Sequence, residues 1–213
     1  MILALKSLED VRLYCFSPGD FLMGRDPIEM VAAQIKGGAD VIQLREKNMP
    51  KRDALELGLA ISDLATREGV LFIVNDALDL ALILEADGVH LGQDDIPIKY
   101  ARPLFKDKII GISTHSLDQA RDAVESGADY IGIGPAFKTE TKTKADPVVG
   151  IDLILKVKEL SPVPVIAIGG IGETNIDLLV KRGIRRVAII SDILSSKDIE
   201  AKTRALKEKL KNA

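Results

Sequence analysis

Two like charges follow a short apolar run early in the chain. The segment Val41–Lys47 reads Val-Ile-Gln-Leu-Arg-Glu-Lys. Side chains alternate between the two faces of a strand, so Gln43, Arg45 and Lys47 would share one face. Neighbouring cations repel each other, and an anion between them relieves the repulsion. That anion is a substrate phosphate or a neighbouring carboxylate; the alternative is a pair of solvated surface charges.

Other apolar runs in the chain also end in polar residues. They include Asn75-Asp76, His90 with Gln93-Asp94-Asp95, Ser113-Thr114-His115, Thr139 to Lys142, Gly169-Gly170 and Ser191-Asp192. One polar strand end is ordinary. If these runs are parallel strands of one sheet, their carboxyl ends meet at one rim, and the polar residues build a site there.

Asp76 and Asp95 would lie at adjacent strand ends. Carboxylates without a His or Cys partner suit Mg²⁺, which is held by a few carboxylates together with phosphate oxygens and water. Arg45, Lys47 and Lys142 would surround the phosphates that such a metal binds. For either aspartate alone, the alternative interpretation is a helix N-cap.

A second anion site is predicted farther along the chain. Gly169-Gly170 and Ile190-Ser191 follow the last two apolar runs. In (β/α)8 barrels, the loops after the last two strands commonly bind phosphate through backbone N–H groups. One site would be cationic and assisted by metal, and the other neutral and built from backbone. A chain with both sites could join two phosphorylated molecules.

The apolar runs alternate with amphipathic stretches, as expected of an α/β fold. We predict eight strands near residues 11–16, 41–45, 71–75, 88–91, 109–113, 130–134, 165–168 and 186–190. Val and Ile occupy both faces of most runs, which is typical of parallel strands covered by helices. The pattern predicts a single (β/α)8 TIM barrel over residues 1–213. A doubly wound open sheet is the alternative, but no GxGxxG follows the first run.

Local signals predict where several helices begin. Asp26-Pro27 combines an N-cap with proline at the first helical position, and Ser116 has capping-box spacing. Thr174 or Asn175 would cap a later helix, and Ser196 the last one. A phrase of the type Gly-Ala-Asp recurs before strands, where the glycine ends a helix.

Composition excludes several classes of protein. The 213 residues carry a formal net charge of -3, so nucleic acid is not an expected partner. The single cysteine, Cys15, cannot form an internal disulfide and fits a reducing compartment. Neither a signal peptide nor a membrane span is predicted, and we expect a cytoplasmic protein. The oligomeric state is left open, a homo-oligomer included.

Together the motifs resemble those of the thiamine phosphate synthase family, in order over nearly the whole chain. The resemblance implies that a pyrimidine pyrophosphate and a thiazole phosphate combine to thiamine phosphate, with release of pyrophosphate and with Mg²⁺ as cofactor. It is carried by Gln43-Leu44-Arg45-Glu46-Lys47, Asn75-Asp76, His90 to Asp95, Gly134-Pro135, Thr139 to Lys142 and Gly169-Gly170-Ile171.

The same resemblance implies roles for individual residues. Asp76 and Asp95 would bind Mg²⁺. The catalytic groups would be Arg45, Lys47, Ser113 and Lys142. Substrate contacts would come from Gln43, Leu44, Arg45, Glu46, Lys47, Asn75 and Ser113, and, on the thiazole side, from Thr139, Thr141, Gly170, Ile190 and Ser191. By the resemblance, Asn75 joins the cations around pyrophosphate, while Gln43 and Ser113 face the pyrimidine.

Two further interpretations are kept. A thiazole tautomerase would share the barrel and the thiazole phosphate site, but such enzymes resemble this chain less, because they tend to lack the metal carboxylates and use a histidine in the loop where Pro135 stands here. A non-catalytic thiazole phosphate sensor would not need Arg45, Lys47, Asp76 and Asp95 together. We also predict that His90 and His115 are supporting residues rather than general bases, and that residues 139–148 form a mobile lid.

Overall fold

Eight parallel strands close into a barrel in which each strand pairs with the next and β8 pairs with β1. A computed structural model describes residues 7–139 and 147–211. The closed barrel confirms the predicted fold and excludes the open sheet. The strands are β1 Leu13–Phe16, β2 Val41–Leu44, β3 Leu71–Asn75, β4 Gly88–Leu91, β5 Ile109–Thr114, β6 Tyr130–Ile133, β7 Val165–Ile168 and β8 Val187–Ala188.

Helices cover the outside of the barrel and connect its strands. Short 3₁₀ turns occupy Leu8–Asp10 and Gly19–Phe21. The α-helices are α1 Pro27–Lys36, α2 Lys51–Glu68, α3 Leu78–Ile83, α4 Ile98–Ala101, α5 Leu117–Glu125, α6 Gly150–Leu160, α7 Ile176–Lys181, α8 Ser191–Leu194 and α9 Ile199–Lys211.

Two predicted helix caps are confirmed, and one is wrong. Asp26 Oδ1 accepts from the backbone N–H groups of the first turn of α1, and Ser116 Oγ accepts from Gln119 N at 3.2 Å. Ser196 does not cap the last helix, because Asp198 Oδ1 accepts from Ala201 N at 2.9 Å and takes that position. Asn175 precedes α7 but makes no cap bond.

The apolar core has two layers because strand side chains alternate. The inner layer fills the barrel with Tyr14, Phe16, Val41, Leu71, Ile73, Tyr130, Ile166 and Ala188. The outer layer lies between strands and helices and includes Cys15, which is fully buried. Gln43 is a buried polar residue of β2 that points into the barrel, where its amide meets the Tyr14 hydroxyl.

The recurring Gly-Ala-Asp phrase has a structural role at the amino end of the barrel. Each aspartate precedes one strand and accepts a backbone N–H from the start of the strand before it. The contacts are Asp40 Oδ2 to Leu13 N at 2.9 Å, Asp87 Oδ2 to Phe72 N at 2.8 Å and Asp129 Oδ2 to Ile110 N at 2.7 Å. The phrase therefore fixes neighbouring strands to one another, away from the rim that carries the polar strand ends.

Candidate active site

The cationic segment after β2 lies at the carboxyl rim of the barrel. The strand ends at Leu44, one residue earlier than predicted, because Arg45 N donates to Ser17 Oγ at 2.8 Å rather than to a neighbouring strand. Gln43 is 2% exposed inside the barrel, Arg45 is half-buried and Lys47 is exposed. These side chains therefore lie at increasing distance from the core along the segment.

Carboxylates surround the two cations. Lys47 Nζ lies 3.6 Å from Asp76 Oδ2. Burial lowers the pKa of the Arg45 guanidinium, and the carboxylates of Asp76, Asp20 and Glu46 oppose this shift. Of the two kinds of anion that the sequence allowed beside these cations, the neighbouring carboxylates are therefore present. Arg45 is charged although it is half-buried.

Asp76 and Asp95 face each other at the ends of β3 and β4. Burial, and then the neighbouring Asp95 carboxylate, raise the pKa of Asp76 to about 6, while Lys47 opposes the shift. Neither aspartate caps a helix, because the N-cap residues of α3 and α4 are Ala77 and Pro97. The backbone of Asp76 has a φ of 59°, a left-handed conformation that costs energy for a residue other than glycine.

This carboxylate pair fits a hard dication. Two close carboxylates concentrate negative charge. Burial first, and then the Asp95 carboxylate, raise the pKa of Asp76, and a bound dication would favour the charged form of both groups. Within residues 7–139 and 147–211, no group of three or more His, Cys, Asp or Glu side chains is arranged to hold a metal. Asp76 and Asp95 would therefore need phosphate oxygens and water to complete a Mg²⁺ shell.

The two glycines after β7 lie tightly against the loop that follows β6. Gly169 and Gly170 both have positive φ, at 96° and 63°. A Cβ on Gly170 would lie 2.4 Å from the Lys138 carbonyl oxygen, so a side chain has no room there. Asn175 Nδ2 donates to Gly170 O at 2.8 Å and holds the turn from the other side. The glycines are therefore required by this close packing as well as by the backbone angles.

A small cavity of about 230 Å³ joins the β2 segment to the end of β8. Arg45, Glu46, Lys47 and Ile190 line it together with the loop after β1. A larger cavity of about 590 Å³ lies at the opposite end, among Arg12, Lys158, Arg185, Arg186 and Lys211. Volume alone would favour the larger cavity. The smaller one lies at the carboxyl ends of the strands, beside the paired carboxylates, which is where such barrels do chemistry.

Several predicted site residues have contacts within the protein. The Leu44 side chain packs in the outer layer of the core, so a substrate contact would have to come from its main chain. Glu46 Oε1 accepts from Gly19 N at 3.1 Å and ties the loop after β1 to the loop after β2. Asn75 is the last residue of β3 and pairs with His90 of β4.

Both histidines make hydrogen bonds inside the protein. His90 Nε2 lies 2.8 Å from Ser113 Oγ, and His115 Nδ1 lies 2.6 Å from Gly134 O. The prediction that they are supporting residues agrees with these contacts. Thr139 lies in the described part of the chain near the rim, whereas Thr141, Lys142 and most of the predicted lid lie outside the described residues.

Sequence reasoning missed Tyr14 and Tyr130. Their hydroxyl groups lie 3.0 Å apart inside the barrel, and the Tyr130 hydroxyl lies 2.8 Å from His90 Nδ1. A tyrosine in a fully buried strand needs a hydrogen-bond partner, and that requirement was the available signal.

Comparison with known proteins decides the family. The profile of the family described as thiamine monophosphate synthase matches residues 13–193. The chain belongs to this family. It is 46% identical over 204 residues to the thiamine-phosphate synthase of Pelotomaculum thermopropionicum, covering 95% of this chain and 94% of that protein. It is 42% identical over 200 residues to the thiamine-phosphate synthase of Shouchella clausii, covering 93% and 96%.

A solved structure agrees with the sequence relatives. The thiamine phosphate pyrophosphorylase of Pyrococcus furiosus superposes with a TM-score of 0.87 at 35% identity, over 95% of this chain and 96% of that one. The family and its relatives support thiamine-phosphate synthase activity, which is that of a transferase acting on small molecules. None of the helices in the described part of the chain combines the length and apolar character needed to cross a membrane.

Proposed function

We propose that this chain is a Mg²⁺-dependent thiamine-phosphate synthase. It would join 4-amino-2-methyl-5-(diphosphooxymethyl)pyrimidine to 4-methyl-5-(2-phosphooxyethyl)thiazole, or to the carboxylate form of that thiazole. The products would be thiamine phosphate and pyrophosphate. The observation that carries the proposal is the meeting of Arg45, Lys47 and the Asp76–Asp95 pair at one side of the rim.

The leaving pyrophosphate would lie against this charged side. Arg45 and Lys47 supply positive charge there, and Asn75 and Lys142 would add a polar and a cationic contact. Mg²⁺ held by Asp76 and Asp95 would neutralise charge that develops on the departing oxygen. Since Arg45 is half-buried, its attraction for a phosphate is screened less than that of a surface arginine.

The remaining predicted residues divide between the two ring systems. Gln43 and Ser113 stand at the top of the barrel interior and would contact the pyrimidine. On the other side, Gly170, Ile190 and Ser191 would hold the thiazole phosphate, together with Thr139 and Thr141. The backbone around Gly170 can approach a phosphate closely, because no side chain intervenes.

The chemistry requires charge stabilisation rather than a nucleophilic side chain. An amino group on the pyrimidine stabilises a cation at the methylene carbon, so departure of pyrophosphate can precede attack by the thiazole nitrogen. The residues then have to stabilise the departing charge and align the nitrogen. Cys15 takes no part, because its thiol is fully buried among apolar side chains and burial raises its pKa.

The experiment that tests this proposal is a product assay. Purified protein is incubated with both substrates and Mg²⁺, and thiamine phosphate and pyrophosphate are measured separately. We expect the two products in equal amounts and a loss of turnover when EDTA removes the metal. Binding of the thiazole phosphate without either product would contradict the proposal and favour the sensor. Conversion of the thiazole alone would favour the tautomerase. A cytoplasmic location without a nucleic-acid or membrane partner remains a prediction.

A further inference from the structure

A continuous chain of hydrogen bonds crosses the barrel interior between two predicted pyrimidine contacts. We call Gln43, Tyr14, Tyr130, His90 and Ser113 the interior chain. Its contacts are Gln43 Nε2 to Tyr14 Oη at 2.7 Å, Tyr14 Oη to Tyr130 Oη at 3.0 Å, Tyr130 Oη to His90 Nδ1 at 2.8 Å and His90 Nε2 to Ser113 Oγ at 2.8 Å. Five different strands contribute one residue each.

The barrel makes room for this chain. Tyr14, Tyr130 and Gln43 are each at most 2% exposed. A Cβ on Gly111 of β5 would lie 2.1 Å from the Tyr130 ring, and a Cβ on Gly132 of β6 would lie 3.3 Å from the His90 ring. A side chain at Gly111 would therefore displace the Tyr130 ring, and one at Gly132 would press against the His90 ring.

The donors and acceptors of the chain fix its direction. An amide nitrogen only donates, so the Tyr14 oxygen accepts from Gln43. The other contact of the Tyr14 hydroxyl within the chain is the Tyr130 oxygen, and the Tyr14 hydrogen is satisfied when it is donated there. Tyr130 in turn gives its hydrogen to His90 Nδ1. A neutral imidazole that accepts at Nδ1 carries its hydrogen on Nε2 and donates it to Ser113 Oγ.

One hydrogen each from Gln43, Tyr14, Tyr130 and His90 thus fills the four contacts of the interior chain. Burial raises the pKa of both tyrosines, so each keeps the hydrogen that the count requires. The hydroxyl hydrogen of Ser113 is not used within the chain, and Ser113 is half-buried at the rim.

We propose that the interior chain presents the Ser113 hydroxyl to the pyrimidine as a hydrogen-bond donor, and that Tyr14, Tyr130 and His90 are positioning residues. The inference rests on the proposed function. A donor at this position selects a substrate with a ring-nitrogen lone pair opposite Ser113. If the Gln43 amide were turned, every contact would reverse and Ser113 could only accept.

The direction of the chain can be measured without any substrate. Nitrogen-15 NMR distinguishes the two neutral tautomers of histidine, and the chain has only two histidines. We expect His90 to carry its hydrogen on Nε2. His115 should carry its hydrogen on Nδ1, because that nitrogen faces the Gly134 carbonyl. A His115→Asn variant assigns the two signals. A hydrogen on Nδ1 of His90 in the free protein would overturn the proposed direction, whatever reaction the protein catalyses.

The positioning role is tested with Tyr130→Phe, which removes one hydroxyl and keeps the ring. Calorimetry would compare the pyrimidine pyrophosphate with its two analogues in which a ring nitrogen is replaced by C–H. Wild type should bind one analogue about tenfold to a hundredfold more weakly than the substrate, which is typical of leaving a buried donor unpaired. Tyr130→Phe should lose most of that discrimination.

Three controls keep the outcomes separate. Tyr100→Phe, at a tyrosine that is 62% exposed, should keep the full discrimination. The affinity of Tyr130→Phe for thiazole phosphate should match wild type, which shows that the variant is folded. Ser113→Ala should discriminate no more than Tyr130→Phe. Full discrimination in Tyr130→Phe, or none in wild type, would overturn the proposal. Absence of thiamine phosphate in the wild-type assay would instead count against the proposed function.

Discussion

Asp76 has three features that favour function over stability. Its backbone φ of 59° is strained, its carboxylate faces Asp95, and its pKa is raised to about 6 by burial and by that neighbour. A stable fold alone requires none of these. They are consistent with a residue that is held in place for a cation, and they suggest a direct test on the free protein.

Asp76→Asn should stabilise the protein when no metal is present. A carboxyl group whose pKa is higher in the folded than in the unfolded state favours folding when protonated, and that contribution is lost as pH rises from about 4 to about 6. The variant should therefore raise the thermal midpoint at pH 8 and change it little at pH 4, and asparagine also tolerates this φ. Thermal unfolding in EDTA measures both. Asp118→Asn, at an exposed aspartate, is the control, and equal midpoints for both variants would contradict the account.

Arg45 and Asp95 should matter for turnover more than for folding. Arg45→Ala or Asp95→Ala removes charge that stabilises the leaving group, so kcat should fall by about a hundredfold or more. Steady-state rates of thiamine phosphate formation measure the effect. The matched controls are Arg67→Ala and Asp63→Ala, which change exposed charges near the C-terminal end of α2, at the end of the barrel opposite the rim. Near-normal rates in both rim variants would remove these residues from the site.

For single residues, the sequence predicts which side chains can take part in chemistry, but not which distant side chains meet. Asp76 and Asp95 could be paired because each follows an apolar run, and the ends of adjacent parallel strands meet. Tyr14 and Tyr130 are 116 residues apart, and their contact depends on the register of the whole barrel. No local pattern contains that register.

Among the structural elements, the turn after β7 is the most constrained. Gly170 meets the Lys138 carbonyl oxygen at one side and is held by Asn175 at the other. The glycine pair was predicted from its place after a strand. Asn175 stands at the predicted N-cap position of α7, but its side-chain oxygen accepts from Gly172 N and not from the helix start, because Asn accepts equally well from either.

Gly170→Ala should disturb the thiazole phosphate side of the site. The added methyl group would collide with backbone that cannot move freely, so the turn has to shift. We expect KM for the thiazole phosphate to rise by about tenfold or more, since misplacement by about 1 Å can cost a hundredfold. KM for the pyrimidine substrate should change little.

Gly127→Ala provides the matched control for this change. Gly127 also has positive φ, at 92°, but a Cβ there meets nothing within 4 Å. It should lose stability through backbone strain alone, by about 1–2 kcal/mol, without any change in KM. Equal KM values for the thiazole phosphate in the two variants would contradict the effect expected from the close approach at Gly170.

For the molecule as a whole, the last helix is attached to the amino end of the barrel by a buried ion pair. Lys207 of α9 donates to Asp40, and both side chains are less than a tenth exposed. The same carboxylate accepts from Leu13 N at the start of β1. Residues 167 positions apart thus fix the final helix against the first strand. No local sequence pattern indicates that one of the lysines of α9 is buried.

Lys207→Met should destabilise the protein by about 3–5 kcal/mol, because it leaves the Asp40 carboxylate buried without its cation. The urea midpoint of unfolding measures the loss. Lys209→Met removes a lysine from the same helix whose partner, Asp177, is exposed, and it should cost about 1 kcal/mol or less. A similar midpoint for the two variants would show that α9 is held by its apolar contacts instead.

The barrel and most of its strand bounds could be predicted because each strand is a local apolar run between glycine and capping signals. The depth of each rim residue could not, since it depends on packing between distant segments such as Ser17 and Arg45. Arg45, Lys47 and the Asp76–Asp95 pair should form one pyrophosphate site.

A crystal structure of the protein with pyrophosphate and Mg²⁺ tests this claim most directly. We predict pyrophosphate beside Arg45 and Lys47, with the metal bound to the carboxylates of both Asp76 and Asp95. Pyrophosphate in the basic cavity at the opposite end of the barrel, near Arg185 and Arg186, with Asp76 and Asp95 free of metal, would contradict it.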